Sequence, residues 1–157
     1  MLGLGARRIV FVGQRHAAAT VEAREAGYRE ALYTWDAPVD RSLVPRVDPE
    51  DREQVLTVMK RSKPEAIVCA NDRTAARLMR TLLRADYRIP HDVRLVGIDD
   101  VEYASLLPVP LTTLRQPTRE IGDAALTAML ERVARKNLPP RDILLHPEMV
   151  IRESCGG

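Results

Sequence analysis

Hydrophobic and polar positions alternate in blocks along this chain. Arg8-Ile9-Val10-Phe11-Val12-Gly13 is an unbroken β-branched and aromatic run closed by glycine, the pattern of a strand buried on both faces. From Thr20 to about Trp35 the pattern changes to good helix formers, with Val21, Ala23, Ala26, Ala31 and Leu32 available for burial, and Pro38 closes the region. Leu43-Val44-Pro45-Arg46-Val47 reads as a weak strand whose proline demands an edge. Asp48-Pro49-Glu50-Asp51 then predicts a helix start: a capping carboxylate, a proline for the first turn, and acids opposing the helix dipole. Glu65 to Ala70 is the clearest buried strand, and Arg73 to Ala85 a helix with Leu78, Met79, Leu82 and Leu83 inward. Val93 to Ile98 and Leu111 to Leu114 are further strands. Pro117 opens a helix that runs to about Lys136, where Asn137 and Pro139-Pro140 stop it. Ile143-Leu144-Leu145 and Met149-Val150-Ile151 are two closing strand-like pieces. Strand and helix in alternation predict an α/β fold, a three-layer, doubly wound and mostly parallel sheet.

Composition narrows this picture. The 157 residues are 45% hydrophobic and 29% charged with a net charge of +2, enough for one packed domain and too apolar for disorder. No apolar run reaches the about 18 residues that a spanning helix needs, and Met1 to Arg8 lack the form of a secretion signal. Cys69 lies in an apolar run and reads as a small buried hydrophobe; two cysteines point to a reducing cytoplasm rather than a disulfide framework. Of the 24 basic residues only Lys60, Lys63 and Lys136 are lysines, and the 22 acids mixed among them leave no polycation to attract nucleic acid. Arg73, Arg77, Arg80 and Arg84 share one helical face, read either as a solvated face or as a phosphate-contacting stripe.

Ligands of open α/β sheets bind beyond the carboxyl ends of the strands. The first strand exits into Gln14, Arg15 and His16, the next buried one into Asn71 and Asp72, and the following one into Asp99 and Asp100; Arg24 joins them from the first helix. Carboxylates accept from hydroxyls, arginine donates through a planar fork and asparagine does both, so Arg24, Asn71, Asp99, Gln14 and His16 suit a polyhydroxylated ligand or a nucleoside. Asp100 extends the same strand end as Asp99, and Asn71 and Asp72 have the alternative use of capping the helix near Arg73. The three histidines are far apart, and no nucleophile elbow, phosphate loop or dinucleotide fingerprint occurs. Neither a catalytic residue, a metal nor a cofactor is therefore expected, although a metal between Asp99 and Asp100 is the enzyme alternative.

An ordered set of segments carries a resemblance. Residues 8–13, Arg24-Glu25-Ala26-Gly27-Tyr28, Ala70-Asn71-Asp72, Val96 to Asp100, Pro110 to Pro117, Gly122 and Pro147 to Ser154 follow one another as in lactose-repressor (LacI/GalR) family transcription regulators. The chain resembles the C-terminal part of their effector-sensing domain over nearly its whole length. That resemblance implies one lobe of a periplasmic-binding-protein-like (type I) fold plus a crossover strand and helix. It implies a small-molecule effector, such as a sugar, held between two lobes, with Arg24, Asn71 and Asp99 as polar contacts and Asp72 as support. Where the family stacks an aromatic ring on its ligand, this chain has a residue near Val47. The resemblance places a dimer interface near Ala76, Met79, Tyr103 and Leu106, and DNA contact only in a separate N-terminal domain. Related modules follow the winged-helix domains of arabinose-repressor-like regulators of the GntR class, and a transport-type sugar-binding protein of the same fold is a further alternative.

The same resemblance predicts how the chain divides. Residues 1–108 and 141–155 are expected to form the C-terminal lobe, and residues 109–140 to belong to a first lobe that a longer parent would supply. The helix after Pro117 carries Ile121, Leu126, Met129, Leu130 and Val133 around more than one face, as in a helix covered on several sides. A second copy of the chain is the predicted cover, making a homodimer.

Overall fold

The computed structural model describes residues 1–13 and 19–156. Strands β1 (Ile9–Val12), β2 (Ala66–Cys69), β3 (Arg94–Asp99), β4 (Thr112–Arg115) and β5 (Glu148–Val150) form one sheet in that order. The first four are parallel and β5 is antiparallel. Helices α1 (Ala19–Thr34), α2 (Arg52–Ser62), α3 (Asp72–Leu83) and α4 (Thr118–Ala134) connect them.

Alternation along the strands sends neighbouring side chains to opposite faces. Val10, Val12, Ile67, Cys69 and Leu95 meet Val55 and Met59 of α2 and Leu78, Met79 and Leu82 of α3 in the main core. On the other face Ile9 and Ala66 pack against Leu32 of α1. Tyr28 stacks at 5.5 Å from Phe11 and donates its hydroxyl to the Ile9 carbonyl at 2.7 Å; burial pushes that phenol up to about 12. Of the α1 residues expected inside, only Leu32 is buried; Ala23, Ala26 and Ala31 face out. Their small side chains bring little apolar area to a second row of contacts. Beyond α1 the same face opens into an apolar groove of ≈ 520 Å³ lined by Val96, Ile98, Leu114, Met149 and Ile151.

Three local expectations change. The weak strand at 43–47 reduces to one parallel bridge, Gly13 with Arg46, outside β1; Pro45 has no amide to extend it, and the edge position stands. Asp51, not Asp48, caps α2 by accepting from the Gln54 amide at 3.1 Å, while Asp48 closes the preceding turn through the Glu50 amide at 2.9 Å. Residues 143–145 form no strand, and Ile143 and Leu144 are exposed.

The division of the chain also changes. β4 hydrogen-bonds to β3 from Val96↔Thr112 to Asp99↔Arg115, so it stays in this sheet rather than leaving it at residue 109. Thr112 and Thr113 are buried, and the Ser154 hydroxyl ties the strands by accepting from the Thr112 amide at 2.8 Å and donating to the Leu95 carbonyl at 2.6 Å. The chain leaves the sheet only at Gln116-Pro117. Beyond that point α4 buries none of its residues, and Leu126, Met129, Leu130 and Val133 are all more than half exposed.

Candidate functional site

The strand order places the site. The chain passes from β1 to the bridge at Arg46 on one side of it and returns to β2 on the other. The order therefore reverses at β1 and β2, where the carboxyl ends of parallel strands leave a crevice. Three of the five residues expected to touch a ligand can be located there. Arg24 reaches from α1 across the strand ends: Nη1 donates to the Ala70 carbonyl at 2.7 Å and Nη2 to Asp99 Oδ1 at 3.1 Å. Its side chain is 21% exposed and that of Asp99 29%, so both are shielded yet reachable. Gln14 and His16 lie outside the described residues.

Asn71 sits at the same rim but has a structural duty as well. Its Oδ1 accepts from the Thr74 amide at 2.8 Å, capping α3. Capping and ligand contact use different atoms, because the side-chain amide nitrogen donates and the oxygen accepts. We therefore expect Asn71→Ala to cost about 1 kcal/mol in a urea titration through the lost cap, while Asn71→Ser keeps the cap and most of that stability.

Asp72 and Asp100 stand beneath the rim. Asp72 is fully buried and does not cap α3, unlike the alternative read from sequence. It accepts from the Thr113 hydroxyl at 2.6 Å and from the Val101 amide at 3.0 Å. Burial raises its carboxyl above the usual range, against the lowering effect of those hydrogen bonds. Asp100 accepts from Arg115 Nε and from Arg152 Nη2, each at 2.7 Å, and its side chain is 8% exposed. Burial works against its charge, but the two arginines outweigh it and hold the carboxyl below the usual range. Asp99 and Asp100 both have positive φ, 127° and 55°. For residues other than glycine such backbone is strained, and strain of this kind gathers at ligand clamps and switches. It turns two consecutive carboxylates to different partners, Asp99 to Arg24 and Asp100 to the arginines of β4 and the chain end. Among the described residues no group of three or more histidine, cysteine or acidic side chains is placed to hold a metal ion.

The sequence reading missed Gln116. Its Nε2 donates to Asp99 Oδ1 at 2.6 Å, completing a triad with Arg24. The strand-end rule finds it once β4 is known to lie in this sheet.

The model of a family described as periplasmic binding protein-like domain matches residues 1–155. The chain belongs to the periplasmic-binding-protein-like domain family. This domain is similar to the "HTH-type transcriptional repressor PurR" of Vibrio atlanticus, 34% identical over 146 residues, which are 90% of this chain and 43% of that protein. Against the repressor of the same name from Photobacterium profundum it is 38% identical over 97 residues, 62% of this chain and 29% of the relative. A LacI-family transcriptional regulator from Sanguibacter keddieii superposes with a TM-score of 0.81 at 34% identity, over 99% of this chain and 62% of that one. The structure named as a complex of the transcriptional regulator CelR with cellobiose gives 0.85 at 26%, over 98% and 48%. The chain thus spans less than half the length of these two curated relatives.

Within this periplasmic-binding-protein-like domain the four residues expected at a dimer interface do not behave alike. Met79 is buried in the core, 1% exposed, because it faces the sheet. Ala76 is half-buried, and Tyr103 and Leu106 are exposed. In the arginine row Arg77 and Arg80 share the single carboxylate of Glu50, so two of the four arginines are engaged in ion pairs. The ring-stacking position near Val47 holds that valine packed against the main core. Both cysteines are buried free thiols, and burial pushes the Cys69 thiol up. No helix among the described residues is long and apolar enough to cross a membrane.

Proposed function

We propose that this domain senses a small polyhydroxylated effector, a sugar or sugar derivative, on behalf of a bacterial transcriptional repressor. One observation carries the reading: the Arg24 guanidinium bridges the end of β2 and the Asp99 carboxylate at the reversal point of the sheet. That arrangement pre-organises a donor fork and an acceptor for vicinal hydroxyls, with the Asn71 amide beside them. The effector binds in the cleft between this lobe and a second one, and closure or opening of the cleft changes the DNA affinity of a separate N-terminal domain. The names of the curated relatives favour a regulator over a transport-type binding protein. In this reading the protein is a cytoplasmic binding module rather than an enzyme, and it works as a homodimer with Tyr103 and Leu106 at the contact.

A thermal-shift titration of the chain with cellobiose, D-ribose and guanosine tests the proposal. At least one probe raises the melting midpoint. Asp99→Asn and Arg24→Met each weaken that probe at least about 30-fold, since each removes a charge-assisted contact of about 2 kcal/mol. An unchanged affinity in both variants refutes the assignment of the site.

A further inference from the structure

One oxygen of Asp99 is shared by two donors from different parts of the chain. Arg24 Nη2 reaches Oδ1 from α1, and Gln116 Nε2 reaches it from the segment between β4 and α4. α4 buries none of its residues in this domain, so its placement is set where it leaves the sheet. Among the described residues three side-chain ties act there: Gln116 to Asp99, Arg115 to Asp100, and Arg115 to Glu148 of β5. Only the first uses an atom of the ligand-facing rim.

We propose that Gln116 is the positioning residue through which the rim reports its occupancy to the segment leading into α4. The inference rests on the reading that Arg24 and Asp99 hold the ligand. A carboxylate oxygen offers about two lone-pair sites, and in this structure Oδ1 uses both. A ligand hydroxyl that donates to that oxygen displaces one of the two present donors. Arg24 is also anchored through Nη1 to the Ala70 carbonyl at 2.7 Å, whereas among the described residues the Gln116 side chain has this one tie. Gln116 therefore yields. Once it does, of those three ties only the two of Arg115 still hold the base of α4, and α4 is free to take a new angle to the sheet. The Asp100 clamp stays closed throughout, because its arginines do not touch the rim oxygen.

Hydrogen exchange on the intact chain tests this, with cellobiose, D-ribose and guanosine as probes and Gln116→Leu and Gln116→Lys as variants. Without a probe, Gln116→Leu exchanges the amides of residues 121–124 about tenfold faster than the wild type, and Gln116→Lys, whose ammonium also donates to Asp99, restores protection. A probe that raises the melting midpoint accelerates those amides in the wild type to the Gln116→Leu rate and leaves Gln116→Leu itself unchanged. If a probe binds and the exchange at 121–124 stays constant, the coupling role is overturned while the ligand site stands. Equal ligand-free rates in wild type and Gln116→Leu overturn it too. If none of the three probes shifts the melting midpoint, the ligand reading fails and the coupling role falls with it.

Discussion

Gly97→Ala destabilises the domain by about 3 kcal/mol in a urea titration, although it adds one methyl group to a strand. A Cβ at this position would stand 2.1 Å from Asp72 Oδ1 and 3.0 Å from Leu111 Cδ2. Neither neighbour has room to retreat. Asp72 is fully buried and holds Thr113 and the Val101 amide, while Leu111 is fully buried just before β4. The new methyl therefore has to part β3 from α3 or break the hydrogen bonds of Asp72. Gly122→Ala is the control, because a Cβ there meets nothing within 4 Å and lies within α4. That change stabilises by up to about 1 kcal/mol through helix propensity. Combining Gly97→Ala with Asp72→Ala gives a loss smaller than the sum of the two, since the second substitution removes the atom that the first collides with.

Asp100→Asn costs about 2–3 kcal/mol at neutral pH. The figure lies below the about 3–5 kcal/mol expected when a fully buried pair is broken, because Arg115 is half exposed and water replaces part of what it loses. Arg152, with 19% of its side chain exposed, bears most of the loss. The pH dependence has a definite sign. The folded-state carboxyl of Asp100 is held below its unfolded value near 3.9, so its contribution is complete above that value and disappears as the pH falls through the folded one. The gap between wild type and Asp100→Asn thus closes on acidification below about pH 4. Asp72 acts in the opposite sense. Its raised carboxyl makes ionisation a cost, which is present above the folded value and relieved as the pH falls through it. With Asp100 replaced, the acid limb of a stability profile loses the steep fall due to Asp100 and keeps the relief due to Asp72. A set of urea titrations between pH 3 and pH 7 measures both. A gap that is constant over this range contradicts the ion-pair account.

Strands read well from this sequence because burial on both faces leaves continuous runs such as Ile9–Val12 and Ala66–Cys69, which few other settings produce. Helix starts read less well. Asp48 and Asp51 have the same capping chemistry, and choosing between them depends on where α2 docks on the sheet, which lies outside the local pattern. The rim was legible in part for a similar reason. While Arg24 enters from α1, Asn71 and Asp99 follow from strand ends, since parallel strands deliver their carboxyl ends to one border. Gln116 and Arg152 do not, because their relation to Asp99 and Asp100 depends on how β4 and the end of the chain are seated. Assigning Thr112–Arg115 to another lobe hid Gln116 for that reason.

The order of apolar runs and turns in these 157 residues was enough to establish the α/β alternation, the parallel sheet and the shared border of polar groups. These depend on periodicity and on the handed geometry of strand–helix–strand units, which are local. Folding settled which carboxylate faces which arginine, that Asn71 caps while Asp72 is buried against Thr113, and that α4 stands away from the sheet. Such outcomes depend on distances between segments tens of residues apart, where several partners of the same charge compete and only packing selects among them.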